Sequence, residues 1–369
     1  MKFTCSQQLL SKALNTVSKA VTTRSTLPIL KGILLKATGG DGLILSASDL
    51  DISIEKKITD ALIEEGGSVV VSAKLFTDII RKLPDEDVSV EQLEDGNVFI
   101  KTSMSEFTIV GQSADEFPEI GEIDEDERIT FNKETFKEMI RKTSFSASID
   151  EGKGIIVGVL IEFDENYTNM IGIDGFRMAV LREQIQNENK NRIIINSKIL
   201  GDVNKILSDI EDEEELTIIL SKKKAILICE NVKIVIRLLE GEFIKYKDIL
   251  PKEKNCSVRI RRSIFHEGME RASILSKEGK NNLIKFAFTE GLLTITSRSE
   301  EGNVREEIVV EKEGDDIEIG FNSKYILDVL KVLDDDEIVM EMVSSVKPCV
   351  IKPVSGNRFE YLVLPVRIS

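Results

Sequence analysis

Residues Val71-Ser72-Ala73-Lys74, followed at 75–90 by LFTDIIRKLPDEDVSV, decide the architecture of this chain, because the pattern occurs three times. The second copy is Ile195-Asn196-Ser197-Lys198 with ILGDVNKILSDIEDEEELTI at 199–218. The third is Phe321-Asn322-Ser323-Lys324 with YILDVLKVLDDDEIVM at 325–340. Each reads as a strand end, a Ser or Asn N-cap, a short helix, an acidic turn and a β-rich run. A weaker triplet interleaves with it: TCSQQLLSKALNTVSKAV, TFNKETFKEMIRKTSFSA and RIRRSIFHEGMERASILS, aligned from Thr4, Thr130 and Arg259. Leu10, Phe136 and Phe265 then coincide, as do Leu14, Ile140 and Met269. Alternating apolar stretches follow each copy.

Outward from these repeats, the 369 residues divide into three modules of about 125 residues each. They span 1–125, 126–252 and 253–369, with boundaries in the acidic stretch 119–128 and at Pro251-Lys252-Glu253-Lys254-Asn255. Each module has two halves, each a helix followed by several strands. Helices are predicted at 7–20, 74–83, 133–145, 197–209, 261–275 and 323–333. Helices and strands in this order give an α+β fold, not βαβ units.

Taken at 100° per residue, the helix 74–83 gathers Leu75, Phe76, Ile79, Ile80 and Leu83 on one side and Lys74 with Arg81 on the other. Lys198 with Lys205, and Lys324 with Lys331, repeat that spacing. Asp78, Asp202 and Asp328 sit on the flank. The chain carries a net charge of -16, from 65 acidic and 49 basic residues, yet the six predicted helices together carry +8. Basic charge is concentrated on the helices and acidic charge lies elsewhere.

Several function classes recede. His266 is the single histidine, so no His-rich metal site exists and any Ser-His-Asp or Cys-His scheme must use that one ring. No Ser, Cys or carboxylate partner for it is identifiable in the sequence. Cys5, Cys229, Cys256 and Cys349 lie far apart, without a C-x-x-C pair. No P-loop run occurs. The acidic clusters at 124–127, 211–215 and 334–337 recur at helix-to-strand turns, where solvated charge is expected rather than a metal. No apolar run reaches signal-peptide or membrane-span length. The expectation is a soluble, cytoplasmic protein with reduced thiols, without enzymatic activity, metal or cofactor. A duplicated-domain protein-binding scaffold without DNA affinity is the alternative, disfavoured by the matched basic positions.

The order and spacing of several segments resemble one family, the bacterial sliding clamps or DNA polymerase III beta subunits. They are MKFTCSQQLL, Arg24-Ser25-Thr26-Leu27-Pro28-Ile29-Leu30, Ser48-Asp49-Leu50, Asp174-Gly175-Phe176-Arg177-Met178-Ala179-Val180, Gly320-Phe321-Asn322 with Tyr325-Ile326-Leu327-Asp328-Val329-Leu330, and Leu364-Pro365-Val366-Arg367. The resemblance covers residues 1 to 369. It implies a processivity factor in which helices line a central hole, sheets lie outside, and duplex DNA passes through without sequence readout. Two chains close the ring head to tail. Its implied partners are the replicative DNA polymerase, the clamp loader, and repair and translesion polymerases that bind through short linear motifs. Nucleoid association in the cytoplasm follows.

Residue by residue, the resemblance implies DNA contacts at Arg24, Lys74, Lys153 and Lys198; the repeats add Arg81, Lys205, Lys324 and Lys331. It also implies an apolar peptide pocket between the middle and last modules. Its positions are Ile173, Phe176, Arg177, Met178, Ile244, Ile249, Asn322, Tyr325, Ser345, Leu362, Leu364, Pro365, Val366 and Arg367. Phe176 stands where the family often has histidine, and the loop around Lys153 lacks the aromatic or amide residues of some relatives. For the ring that the resemblance implies, size sets the stoichiometry. Six helices about 9 Å apart leave a bore of roughly 7 Å, and twelve leave roughly 24 Å. A duplex is on the order of 20 Å across, so two chains are required.

Overall fold

The computed structural model describes residues 1–22, 27–121, 127–185, 190–211 and 213–368. Element order repeats six times as strand, helix, strands. The first half-module is β1 (Lys2–Ser6), α1 (Gln7–Val17), β2 (Gly32–Thr38), β3 (Gly42–Ser48), β4 (Ile52–Ile58) and β5 (Leu62–Glu65). The second is β6 (Gly67–Ser72), α2 (Ala73–Lys82), β7 (Asp87–Gln92), β8 (Val98–Lys101), β9 (Glu106–Ile109) and β10 (Gly111–Gln112). Then come β11 (Glu127–Asn132), α3 (Lys133–Thr143), β12 (Gly158–Phe163), β13 (Thr168–Ile173) and β14 (Arg177–Glu183). The fourth is β15 (Asn191–Asn196), α4 (Ser197–Ser208), β16 (Glu215–Leu220), β17 (Lys224–Cys229) and β18 (Val232–Arg237). The fifth is β19 (Cys256–Arg261), α5 (Arg262–Glu278), β20 (Leu283–Thr289), β21 (Leu292–Ser299), β22 (Gly302–Val309) and β23 (Glu311–Gly314). The last is β24 (Ile317–Asn322), α6 (Ser323–Val332), β25 (Glu337–Met342), β26 (Cys349–Pro353) and β27 (Phe359–Val363).

The fold is α+β, and all six predicted helices form within two or three residues of their expected ends. The aligned pairs from the weaker triplet are core in every copy: Leu10, Phe136 and Phe265 are buried, as are Leu14, Ile140 and Met269. An amphipathic helix registers on its sheet through these positions. The caps are less uniform than expected. Asn196 and Asn322 cap their helices, accepting from the backbone N–H of Lys198 (2.9 Å) and Lys324 (3.0 Å). Ser72 makes no side-chain cap bond.

Two compact units form. The first combines Met1–Thr135 with Asp202–Leu238; the second combines Phe136–Gly201 with Leu239–Ser369. Within the first unit, one sheet runs β5-β1-β7-β8-β9 and a second runs β10-β6-β2-β3-β4-β18-β17-β16-β11. Within the second unit, the sheets run β15-β12-β13-β14-β27-β26-β25-β19-β23 and β22-β21-β20-β24. The nine-stranded sheets arise where strands from successive repeats pair antiparallel. β4 pairs β18 with Ile52 opposite Ile236, and β14 pairs β27 with Arg177 opposite Val363.

One strand departs from the alternation expected of a half-solvated sheet. β21 alternates buried and half-buried residues, but all six residues of β13 are buried. The reason is the segment after β18. Phe243 and Tyr246 join Ile171, Ile173, Met178, Val180 and Leu362 in one apolar cluster, with Leu239, Ile249 and Leu250 packed against it. Tyr246 pins that segment by donating to Glu162 at 2.6 Å. Each large apolar side chain so covered contributes about 1.5–3 kcal/mol.

Candidate functional site: a cationic helix face and an apolar cleft

The helix cations lie where the periodicity put them. Lys74, Arg81, Lys198, Lys205, Lys324 and Lys331 are all exposed. On α2 the buried arc is Phe76, Thr77, Ile79 and Ile80, with Leu83 just beyond the helix end, while Leu75 is 47% exposed. This corrects the expected stripe. Leu75 sits at its edge, and the face that packs is rotated by one residue toward Thr77.

The flanking aspartates fare differently in the three copies. Asp202 pairs with Lys205 at 3.0 Å and partly neutralises it. Asp328 is drawn away to Arg177 at 2.6 Å, so it does not neutralise Lys324 or Lys331. Among the described residues, Lys74, Lys198, Lys324 and Lys331 have no carboxylate within 4 Å. Arg81 reaches only the Asn15 side-chain oxygen, at 3.5 Å. Arg24 lies outside the described residues.

The second unit places residues expected in the cleft around one turn. Asp174 Oδ1 accepts from the backbone N–H of Phe176 (2.8 Å) and Arg177 (3.0 Å), and Gly175 between them has φ +91°. A positive φ is open to glycine without the steric cost that other residues meet. The turn leaves Phe176 52% exposed and sends Arg177 inward, 7% exposed. The Arg177 guanidinium bonds Asp174 at 3.0 Å, Asp328 at 2.6 Å and the Phe145 carbonyl at 2.8 Å. Its Cζ stands 4.6 Å from the Tyr325 ring centroid and 5.4 Å from that of Phe145. Burial works against its charge, but Tyr361, Asp328 and Asp174 carry its pKa above the ordinary value. Arg177 therefore holds the turn to α6, with three of its five N–H donors spent on these bonds.

Phe176 stacks on Tyr325, centroids 6.4 Å apart. Burial raises the phenols of Tyr325 and Tyr361 above their usual range, and the Tyr361 hydroxyl donates to the Tyr325 carbonyl at 2.9 Å. The terminal segment is tied to this surface by its backbone. Leu364 N–H donates to the Phe176 carbonyl (2.8 Å), and Val366 N–H to that of Gly320 (2.8 Å).

Of the positions implied by resemblance, Ile173, Met178 and Leu362 are buried in the cluster beneath this surface, with Ile249 and Leu364 half-buried against it. Asn322 spends its side chain on the α6 cap. Pro365 and Val366 are half-buried; Ile244, Ser345 and Arg367 are exposed and do not join the cluster. Lys153 is exposed, donates to the Asp174 carbonyl (3.2 Å) and stands 5.1 Å over the Phe176 ring. The sequence reasoning missed Asp174, Asp328, Phe145 and Tyr361. The signal for Asp174 was an Asx turn, Asp-Gly ahead of an apolar strand.

Other expectations sharpen. His266 has a carboxylate neighbour after all, Glu270 at 3.8 Å one helical turn on. The signal for it in the sequence is the i,i+4 spacing, which sets the two side chains on one helix face. Asp334 of the acidic turn is spent on Arg141 (2.6 Å) and Lys142 (3.1 Å). Among the described residues, no helix is long and apolar enough to cross a membrane, and no group of three or more His, Cys, Asp and Glu is placed for a metal ion.

Three family models match in succession. They are the DNA polymerase III beta subunit N-terminal domain at residues 1–121, the central domain at 130–245 and the C-terminal domain at 247–367. The chain is 35% identical to the beta sliding clamp of Staphylococcus aureus, covering 100% of this chain and 99% of that protein. The DNA polymerase sliding clamp of Bacillus subtilis superposes with a TM-score of 0.96 at 31% identity, covering 100% of both chains. The sliding clamp of Pseudomonas aeruginosa bound to griselimycin superposes at 0.92 with 26% identity, again over 100% of both. With three successive domain matches and whole-length relatives, the chain belongs to the DNA polymerase III beta subunit family, the beta sliding clamps.

Proposed function

We propose that this chain is a sliding clamp that encircles duplex DNA and tethers DNA polymerase III, and that it works by binding rather than by chemistry. The observation that carries this reading is the exposed cationic row repeated on α2, α4 and α6, in a chain of net charge -16 whose relatives are clamps throughout their length. Point cations on helices attract phosphates without reading bases, which sliding requires. Substituting Lys74, Lys198 and Lys324 together by Gln should lower the log–log salt slope of DNA retention by about 0.9 per lost contact. An unchanged slope would place DNA elsewhere. The three modules 1–125, 126–252 and 253–369 are kept as the repeating units. The peptide cleft is proposed at Phe176, Tyr325 and Leu364, with the clamp loader and the repair and translesion polymerases as further users.

Head-to-tail pairing of two chains is supported by unfinished strand ladders. Twice, the third strand of a meander pairs with the last strand of the following repeat: β4 with β18 and β14 with β27. Among the described residues, the corresponding strands β22 and β9 each have a neighbour on one side only. Counting from Gly32 opposite Ser72, Gly158 opposite Asn196 and Leu283 opposite Asn322, Gly302 corresponds to Ile52 and Arg177. Ile109 corresponds likewise to Ile236 and Val363. A second copy joined in the same register sets Val304 against Phe107 and Arg305 against Glu106. Light scattering should give twice 41.3 kDa. Glu106→Arg should weaken the dimer, and Arg305→Glu in the same chain should restore it; no rescue would refute this register.

A further inference from the structure

Each unit holds one joint between successive repeats, and the two joints share a backbone plan. Lys57 N–H donates across the first to the Asn231 carbonyl at 2.9 Å, and Arg182 N–H across the second to the Arg358 carbonyl at 2.7 Å. These amides are counterparts, because β4 meets β18 as β14 meets β27. Their side chains differ. At the second joint Arg358 bonds Glu183, at the end of β14, at 2.6 Å and Glu138, on α3, at 3.0 Å. Lys142 takes Glu138 at 2.7 Å and Asp334, just past α6, at 3.1 Å, and Asp334 also takes Arg141 at 2.6 Å. Six charged side chains thus form one unbroken ionic chain. At the first joint the counterparts of Glu183, Arg358, Glu138, Arg141 and Lys142 are Ile58, Asn231, Lys12, Asn15 and Thr16. All five line a cavity of about 610 Å³. The ion pairs beside it stand singly, Lys56 with Glu230 at 3.3 Å and Lys19 with Asp209 at 3.2 Å.

We infer that the two joints differ in stiffness: the Glu183–Arg358–Glu138–Lys142–Asp334–Arg141 chain locks the second, and the first, with a cavity in its place, is where the chain yields. The strand pairing is common to both joints, so it does not set them apart. Opening the second joint must part Arg358 from two carboxylates and Asp334 from two cations together, and groups shared in a network resist separation jointly. The side chain of Lys142 is only 5% exposed, so its charge would be left in a poorly solvated place. Opening the first joint parts only half-exposed pairs that contribute little each. Closing it meets empty space, whereas a filled interior resists compression. Duplication kept the backbone bond and changed the side chains, reversing the charge at Lys12 against Glu138 and shortening Arg358 to Asn231. The inference stands on the chain alone and does not depend on what the chain encircles or binds.

Amide hydrogen exchange on the intact protein, resolved to single residues by mass spectrometry, tests this at the counterpart amides of Lys57 and Arg182. After correction for intrinsic rates, Lys57 should exchange about five- to tenfold faster than Arg182. Arg358→Gln should speed Arg182 by a similar factor and leave Lys57 unchanged. Arg358→Lys, a milder change that keeps the charge and gives up the fork between two carboxylates, should fall between. Lys12→Glu together with Asn231→Arg sets the Glu138–Arg358 pair into the first joint and should slow Lys57, whereas Lys12→Glu alone should not. Equal protection of the two amides in the wild-type chain would overturn the inference, as would an Arg182 rate indifferent to both Arg358 variants. A double variant no slower at Lys57 than the single one would show that the missing ionic chain is not what frees the first joint, and would overturn it too.

Discussion

The first unit and the second build the same turn and put different chemistry on it. Between β3 and β4, Asp49 Oδ1 accepts from the N–H of Asp51 (3.0 Å) and Ile52 (2.8 Å), and Leu50 has φ +78°. Between β13 and β14, Asp174 does the same for Phe176 and Arg177 around Gly175. Even the next strand docks alike. Arg237 N–H donates to the Asp51 carbonyl at 2.9 Å, and Leu364 N–H to the Phe176 carbonyl at 2.8 Å. The side chains then diverge. Asp51 and Arg237 face each other at 3.8 Å, both about two-thirds exposed, where Phe176 instead meets Tyr325 and Lys153. Ile52 is plain core; its counterpart Arg177 is a buried cation with two carboxylate partners. Duplication preserved the backbone bonds, because they need only an aspartate and a residue that holds positive φ. The side chain that the turn exposes was free to diverge, from Asp51 in one copy to Phe176 in the other.

The strongest way to break this comparison is to remove the buried cation. Arg177→Ala should cost about 3–5 kcal/mol in chemical denaturation, since Asp174 and Asp328 lose their partner in a buried setting. Arg237→Ala in the first unit should cost under about 1 kcal/mol, as exposed pairs do. Similar losses at the two sites would show that the turns are energetically alike.

Acid sharpens it next. Arg358, just ahead of β27, bonds Glu138 on α3 at 3.0 Å, and with Lys142 holds that carboxyl at a pKa of about 2 despite partial burial. A depressed pKa means stability that is present above the ordinary carboxyl range, near 4.5, and is lost as pH falls toward 2. Thermal melts between those limits should show Glu138→Gln reducing the acid sensitivity of the wild-type chain. Equal pH dependence in both proteins would remove Glu138 from the account.

The smallest effect concerns the backbone. Gly175→Leu should destabilise by about 1–2 kcal/mol through its positive φ alone, because no atom lies within 4 Å of the added Cβ. Leu50→Gly should change stability by less than about 1 kcal/mol, relief of the same strain being offset by backbone entropy. A loss above about 1 kcal/mol at Leu50→Gly, beside the loss at Gly175→Leu, would show that Leu50 bears no such strain and would contradict a shared turn geometry.

Sequence alone settled the periodic features. The three Lys–x6–Lys/Arg pairs, the six helices and the coincident core positions from Leu10 to Met269 depend on spacing, and spacing is fixed by the pitch of a helix. Chemistry that depends on approach between distant residues was not legible. Nothing local says that Asp328 leaves its helix face for Arg177, 151 residues away. Nor does it say that Lys153 stands over the Phe176 ring, or that β13 is buried on both faces. The same holds for the joining of β4 to β18 and of β14 to β27. The strands themselves were readable from alternation, but their partners were chosen by packing across the fold, where a strand edge left unpaired costs more than any local preference returns.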